Sequence, residues 1–102
     1  LEHRVAGADA QPHLATAALL AGMLYGIDRE LETPPPTQGN AYEQLAPSLP
    51  RHWEDALERF RRSRFVADYL GSEFQAVYTQ LKQQEIDEFA RHVTPLEYDT
   101  GL

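Results

Sequence analysis

Apolar and polar residues alternate at the start of the chain and then recur every three or four positions, and this change of period separates two kinds of element. Leu1, His3 and Val5 fall on one face of an extended segment and Glu2 and Arg4 on the other, because side chains alternate along a strand. A strand over about 1–6 is therefore predicted, with a carboxylate and a guanidinium projecting from the same face. Ala6-Gly7-Ala8-Asp9-Ala10 reads as a turn. Pro12 suits the first position of a helix, where its missing N–H is no loss. From there Leu14, Ala17, Ala18, Ala21, Leu24 and Tyr25 recur at helical spacing, with Leu20 and Ile27 widening the stripe. This predicts a helix over about 12–31. Its many small residues, Gly22 and Gly26 among them, imply close packing on more than one side.

Thr33-Pro34-Pro35-Pro36 ends this helix, since proline lacks a donor and disfavours helix in the residue before it. The stretch 33–49 is a connecting loop with a single turn around 42–45. After Pro50, Trp53, Ala56, Leu57 and Phe60 mark one face of a helix over 53–62. Ser63 can cap a short helix over 64–70, built on Phe65, Val66 and Tyr69 and ended by Gly71. Ser72 with Gln75 has the spacing of a capping box for a last helix over about 73–92. Phe74, Val77, Tyr78, Leu81, Ile86 and Phe89 form its apolar face. Thr94-Pro95 stops it, and 96–102 reads as a tail. The prediction is a mainly α fold in one unit over 1–102, with one N-terminal strand, two long helices and two short ones.

Composition narrows the function classes. One domain with a modest core is the usual content of 102 residues. The formal net charge of −7 argues against non-specific binding to nucleic acid or an anionic membrane. No apolar run approaches the roughly 20 residues that span a bilayer. The absence of cysteine excludes disulfides and thiolate chemistry and fits a reducing, cytoplasmic setting. The only methionine is Met23, so the chain is expected to be a piece of a longer protein. Arg59, Arg61, Arg62 and Arg64 are interleaved with Glu54, Asp55, Glu58 and Asp68, the pattern of a solvated, ion-paired face. The four histidines have no metal-site spacing. Glu2 and Arg4 are the best candidates for chemistry. A glutamate can ligate a hard divalent cation, and an arginine can grip a phosphate or carboxylate with two nitrogens. Two such residues are also, more simply, an exposed ion pair.

The whole opening run, LEHRVAGADAQPHLATAALLAGMLYGI, resembles the C-terminal part of the glutamine synthetase catalytic domain. In that family a strand carrying Glu-x-Arg leads through Asp-Ala-Asn-Pro-Tyr-Leu into an Ala-rich helix. The resemblance continues through Leu49-Pro50-Arg51-His52-Trp53-Glu54-Asp55-Ala56-Leu57, Tyr78 to Glu85, and Val93-Thr94-Pro95-Leu96-Glu97-Tyr98, and so covers essentially the whole chain. His-Arg-Val-Ala-Gly-Ala-Asp-Ala over 3–10 looks nearest to the γ-glutamylpolyamine synthetase-like branch.

The resemblance implies a helical C-terminal fragment of an α+β catalytic domain. It implies a parent ligase that joins the glutamate γ-carboxylate to ammonia or an amine through a γ-glutamyl phosphate, using ATP and Mg2+ or Mn2+. By the motif match Glu2 is a ligand of the nucleotide-side metal, and Arg4 contacts the transferred phosphoryl group or the glutamate. The fragment alone is expected to be inactive and to bind no cofactor. The family's ring-shaped assemblies and the edges left bare by excision both lead to an expectation of a homo-oligomer. Tyr42 lies in the loop where some bacterial relatives carry a tyrosine modified by adenylylation. The sequence departs from the family at Gln11, which stands where Asn is usual and is a poorer cap, and at His13, which replaces a Tyr. The alternative is a non-catalytic helical interaction or oligomerisation module.

Overall fold

The computed structural model describes residues 2–101, and the chain divides into two compact units, one up to Ala46 and one from Pro47 onward. Among the described residues six helices form in chain order and there is no strand. No helix is long and apolar enough to cross a membrane.

The first unit is built on α1, Pro12–Asp28. Gln11 caps its N-terminus, the side-chain Oε1 accepting the Leu14 N–H at 2.7 Å. Glutamine, expected to be a poorer cap than asparagine, does cap this helix. Its longer side chain reaches the N–H of Leu14, the third residue of the helix, and satisfies one of the orphan donors there. The helix ends at Asp28, short of the predicted 31. The N–H of Leu31 returns to the Gly26 carbonyl at 3.0 Å and that of Glu30 to Ile27 at 3.1 Å. This is a Schellman closure with Glu30, at φ 50°, in the left-handed position usually given to glycine.

Only Ala21 of α1 is buried, while Leu20, Met23, Leu24 and Ile27 are exposed. The close packing expected at Gly22 and Gly26 is not formed among the described residues of this unit, where a Cβ at either would meet nothing within 4 Å. A single four-residue helix, α2, Ala41–Gln44, follows the proline-rich loop and is capped by the Asn40 side chain. The strand predicted over 1–6 is not formed over its described residues 2–6, and Leu1 lies outside the description. A strand needs a neighbour to take its N–H and C=O groups, and no second strand is present among the described residues.

The second unit contains α3, Trp53–Arg62; α4, Arg64–Leu70; α5, Ser72–Arg91; and α6, Pro95–Thr100. α5 packs against both α3 and α4. Leu57, Val66 and Ile86, one from each of these helices, are its buried apolar residues among those described. Around them Phe60 meets Phe74 edge-on at 6.4 Å and Tyr78 at 5.1 Å, and Phe74 stacks on Tyr78 at 5.5 Å. Only part of the predicted α5 face is used. Phe74, Tyr78 and Ile86 turn inward, but Val77, Leu81 and Phe89 are 54%, 53% and 66% exposed.

Local signals set the joints. Ser63 closes α3 and caps α4, its Oγ accepting the Val66 N–H at 3.1 Å. Gly71, at φ 93°, makes the turn into α5 that a side chain would strain. The predicted capping box at Ser72 does not form, because Gly71 is the N-cap and Ser72 is already the first residue of α5, and Gln75 is engaged elsewhere. Its Nε2 donates to the carbonyls of Phe60 at 2.8 Å, Arg61 at 3.2 Å and Ser63 at 2.8 Å. These carbonyls lie at the junction of α3 and α4, where the Phe60 carbonyl also accepts the Ser63 N–H and the Ser63 carbonyl the Ala67 N–H, each at 3.2 Å, so Gln75 adds a side-chain clamp to a helix end. Gln75→Ala is expected to cost about 0.5–1.5 kcal/mol through loss of this clamp, read as a lowered urea midpoint. The region predicted as a tail contains α6, with a capping box in which the Thr94 hydroxyl accepts the Glu97 N–H and the Glu97 carboxylate accepts the Thr94 N–H.

Candidate functional site

The candidate site is the segment before α1. Glu2 and Arg4 are two residues apart, so in an extended stretch their side chains share a face. In the structure they meet. Arg4 Nε donates to Glu2 Oε1 at 2.7 Å, and Arg4 Nη2 lies 2.6 Å from the same oxygen. Both side chains face water, 84% and 72% exposed. A pair this open contributes little to stability, so its residues are free to serve a ligand.

The chain between this pair and α1 is held by short-range bonds. The Ala10 N–H returns to the Gly7 carbonyl at 3.1 Å and closes a turn over residues 7–10. Space is tight there. A Cβ on Gly7 would come within 2.7 Å of Asp9 Oδ1. At the helix start Gln11 Nε2 lies 3.2 Å from His13 Nδ1, so the two residues that depart from the family pattern pair with one another. Turn, cap and Pro12 together set where α1 begins, and hence how far it stands from Glu2 and Arg4 along the chain.

Glu2 supplies a hard oxygen donor of the kind that Mg2+ and Mn2+ prefer. It does so alone, for no group of three or more His, Asp or Glu able to hold a metal occurs among the described residues. A single carboxylate has the donor chemistry of one ligand to a hard divalent cation and does not by itself make a metal site.

The other residues of interest separate into local roles. Tyr42 is 97% exposed on α2. Arg61 grips Glu58 with two nitrogens at 2.8 and 2.5 Å. This hydrogen bond and the neighbouring positive charges hold the Glu58 carboxyl below its ordinary range, and the same bond raises the Arg61 guanidinium. Arg62 reaches Glu58 at 3.6 Å, Arg64 reaches Asp68 at 3.6 Å, and Arg59 Nη1 donates to the Ser48 carbonyl at 3.0 Å. The basic cluster is therefore committed to partners of its own unit. His92 closes α5 through its backbone N–H, and His52 starts α3 without a side-chain bond. Gln75 was read as a partner of Ser72, and its bonds to the end of α3 were not legible because those partners lie 12–15 residues away. The Thr94–Glu97 box was legible as Thr-x-x-Glu.

With this geometry in view, comparison with known proteins is informative over the full chain. The family model described as glutamine synthetase, catalytic domain, matches residues 1–100. The chain is 40% identical to the gamma-glutamylputrescine synthetase of Escherichia coli over 102 residues, covering 100% of this chain and 22% of that protein. It is 36% identical over 96 residues to the gamma-glutamylethanolamide synthetase of Streptomyces coelicolor, covering 94% of this chain and 21% of the relative. It is 39% identical over 89 residues to a glutamate–isopropylamine ligase of a Pseudomonas species, covering 84% and 19%. The chain thus spans about a fifth of the length of the curated relatives it matches. No solved structure matches it significantly.

Proposed function

This chain belongs to the glutamine synthetase family through that family's catalytic domain, and from this premise we propose that it is the C-terminal part of an ATP-dependent ligase. The parent joins the γ-carboxylate of glutamate to an amine. ATP phosphorylates the carboxylate to a γ-glutamyl phosphate, and the amine nitrogen attacks the acyl carbon. Inorganic phosphate leaves, and the nitrogen gives up a proton as the amide forms. The observation that carries this reading is the 40% identity, along the entire chain, to a ligase of that class.

In this reading Glu2 is one ligand of a divalent cation beside the nucleotide. The cation, when bound, supplies Lewis acidity that draws charge from the phosphoryl oxygens in flight. Arg4 reaches from the same face to the transferred phosphoryl group or to the glutamate. Its guanidinium there neutralises negative charge that grows in the transition state. The segment over 1–6 becomes a strand when the parent provides neighbours for its backbone. The exposed apolar residues of α1, Leu20, Met23, Leu24 and Ile27, support burial against the remainder of the parent or another subunit. One carboxylate and one guanidinium do not make a phosphoryl-transfer site, so the chain alone is inactive.

An organic amine is the substrate we favour over ammonia. The three relatives named for organic amines are 36–40% identical, whereas the glutamine synthetases of Thermus thermophilus and Thermotoga maritima are 31% and 29% identical. The test is phosphate release by the full-length parent with glutamate, ATP and Mg2+, offered putrescine, ethanolamine, isopropylamine or ammonia. At least one organic amine is expected to exceed ammonia in kcat/KM by about tenfold or more, the discrimination a pocket gains from about 1.4 kcal/mol of differential binding. Preference for ammonia would overturn the choice of branch. Absence of glutamate-dependent turnover with every acceptor would overturn the ligase reading in favour of a non-catalytic helical module.

A further inference from the structure

Two residues at the start of α1 settle one another's chemistry. The Gln11 amide bridges the Leu14 N–H, 2.7 Å from Oε1, and the His13 ring, whose Nδ1 lies 3.2 Å from Nε2. A backbone N–H can only donate, so the amide atom facing Leu14 is the oxygen. The nitrogen is then left facing His13, and an amide nitrogen also only donates. Nδ1 must therefore accept, which it does only in a neutral imidazole with its proton on Nε2. A charged His13 carries a proton on Nδ1 and sets donor against donor. If the amide turns over to offer its oxygen to the ring, its NH2 faces the Leu14 N–H and the cap is lost. If the amide stays, the bond to His13 is lost. The two bonds cannot both survive protonation.

The helix end acts in the same direction. His13 is the second residue of α1, whose first turn holds no acidic side chain, and a positive charge there opposes the helix dipole. No other charge is placed to offset this. His13 has no further hydrogen bond or ion pair among the described residues. Asp9, the nearest carboxylate along the chain, sets Oδ1 beside Gly7, and Glu2 and Arg4 hold each other. His3 forms no hydrogen bond or ion pair among the described residues, and α1 has no further ionisable side chain before Tyr25.

We propose that Gln11 and His13 form a proton-sensitive cap, in which neutral His13 holds the Gln11 amide on the Leu14 N–H and charging His13 releases it and frays the start of α1. Segment 2–10, which carries Glu2 and Arg4, joins α1 at this cap, so its anchor loosens in acid. The device rests on hydrogen-bond geometry and stands whether or not the ligase reading does.

The test is hydrogen exchange in the full-length parent, read by mass spectrometry on peptides covering 11–20. It runs from about pH 8 to about pH 5, the interval in which imidazoles change charge, with the intrinsic exchange rate at each pH divided out. Protection at the start of α1 is expected to fall about two- to fivefold further in the wild type than in His13→Gln, which cannot charge. That factor is what one exposed hydrogen bond is worth. Gln11→Asn has the shorter arm of the usual cap, so it should keep the bond to Leu14 without reaching the ring. It is expected to lack the acid-dependent loss as well, and it carries the test where His13→Gln fails to fold. An equal loss of protection in the wild type and in either variant would place the titration elsewhere and overturn the proposal.

Discussion

Glu2→Ala in the full-length parent is expected to lower metal-dependent kcat/KM by about 100-fold or more while leaving the fold intact. The magnitude follows from the role. Stabilisation of transferring phosphoryl charge by a bound divalent cation is worth several kcal/mol, and each 1.4 kcal/mol lost is about a tenfold loss in rate. The selectivity follows from the geometry. The Glu2 side chain is 72% exposed and its partner is Arg4, so its removal creates no cavity and strands no buried group. Stability is expected to change by less than about 0.5 kcal/mol. Glu2→Asp keeps the charge on a shorter arm and should fall between the two. Raising Mg2+ or Mn2+ should recover part of the activity of either variant, because a lost ligand weakens binding before it alters chemistry. Full activity of Glu2→Ala at limiting metal would remove Glu2 from the metal site.

Leu57→Ala is expected to have the largest effect on folding of the second unit, about 2–4 kcal/mol. Leu57 is 7% exposed on α3, the helix packed on α5, and shares the interior with Val66 at 7% and Ile86 at 6%. Truncating a buried leucine loses both the transfer free energy of its methyl groups and the contacts across the cavity left behind. With so few buried residues there is little else to absorb the loss. Total domain stabilities of about 5–15 kcal/mol place this among the changes that can unfold a marginal protein. Urea denaturation followed by circular dichroism should show a midpoint lower by about 1–2 M. Val77→Ala on α5 is the control. Val77 belongs to the same apolar pattern but is 54% exposed, so a change within about 0.5 kcal/mol is expected. Equal effects at the two positions would mean that α5 buries a different face.

These two predictions draw on different kinds of legibility. The pair of Glu2 and Arg4 could be read from spacing alone, since residues two apart in an extended stretch share a face whatever surrounds them. The chemistry proposed for it rests on resemblance over the whole chain; the match over residues 1–100 shows the family. The core was legible only as a set of candidates. Leu57, Val66 and Ile86 lay among the predicted apolar stripes, and so did Val77, Leu81 and Phe89, which the helices leave exposed. A helical stripe wider than its partner's contact leaves a remainder, and periodicity does not say which side that will be.

The division between sequence and tertiary structure follows the range of the interactions. Pro12, Ser63 and Gly71 set helix boundaries through bonds and backbone limits spanning a few residues, so the sequence by itself determined those joints. The Thr94–Glu97 box is equally local. Gln75 is the counter-example. Its amide was free on paper to cap its own helix, but the packing of α5 on α3 brings the Phe60, Arg61 and Ser63 carbonyls within reach, and they take it. The opening strand depends on range in the same way. Alternation determined which residues share a face, but a strand is completed by the backbone of a neighbour, and none is present among the described residues. Local bonds are written into adjacent residues, whereas ladders, buried faces and long-range clamps exist only once separate segments have been brought together.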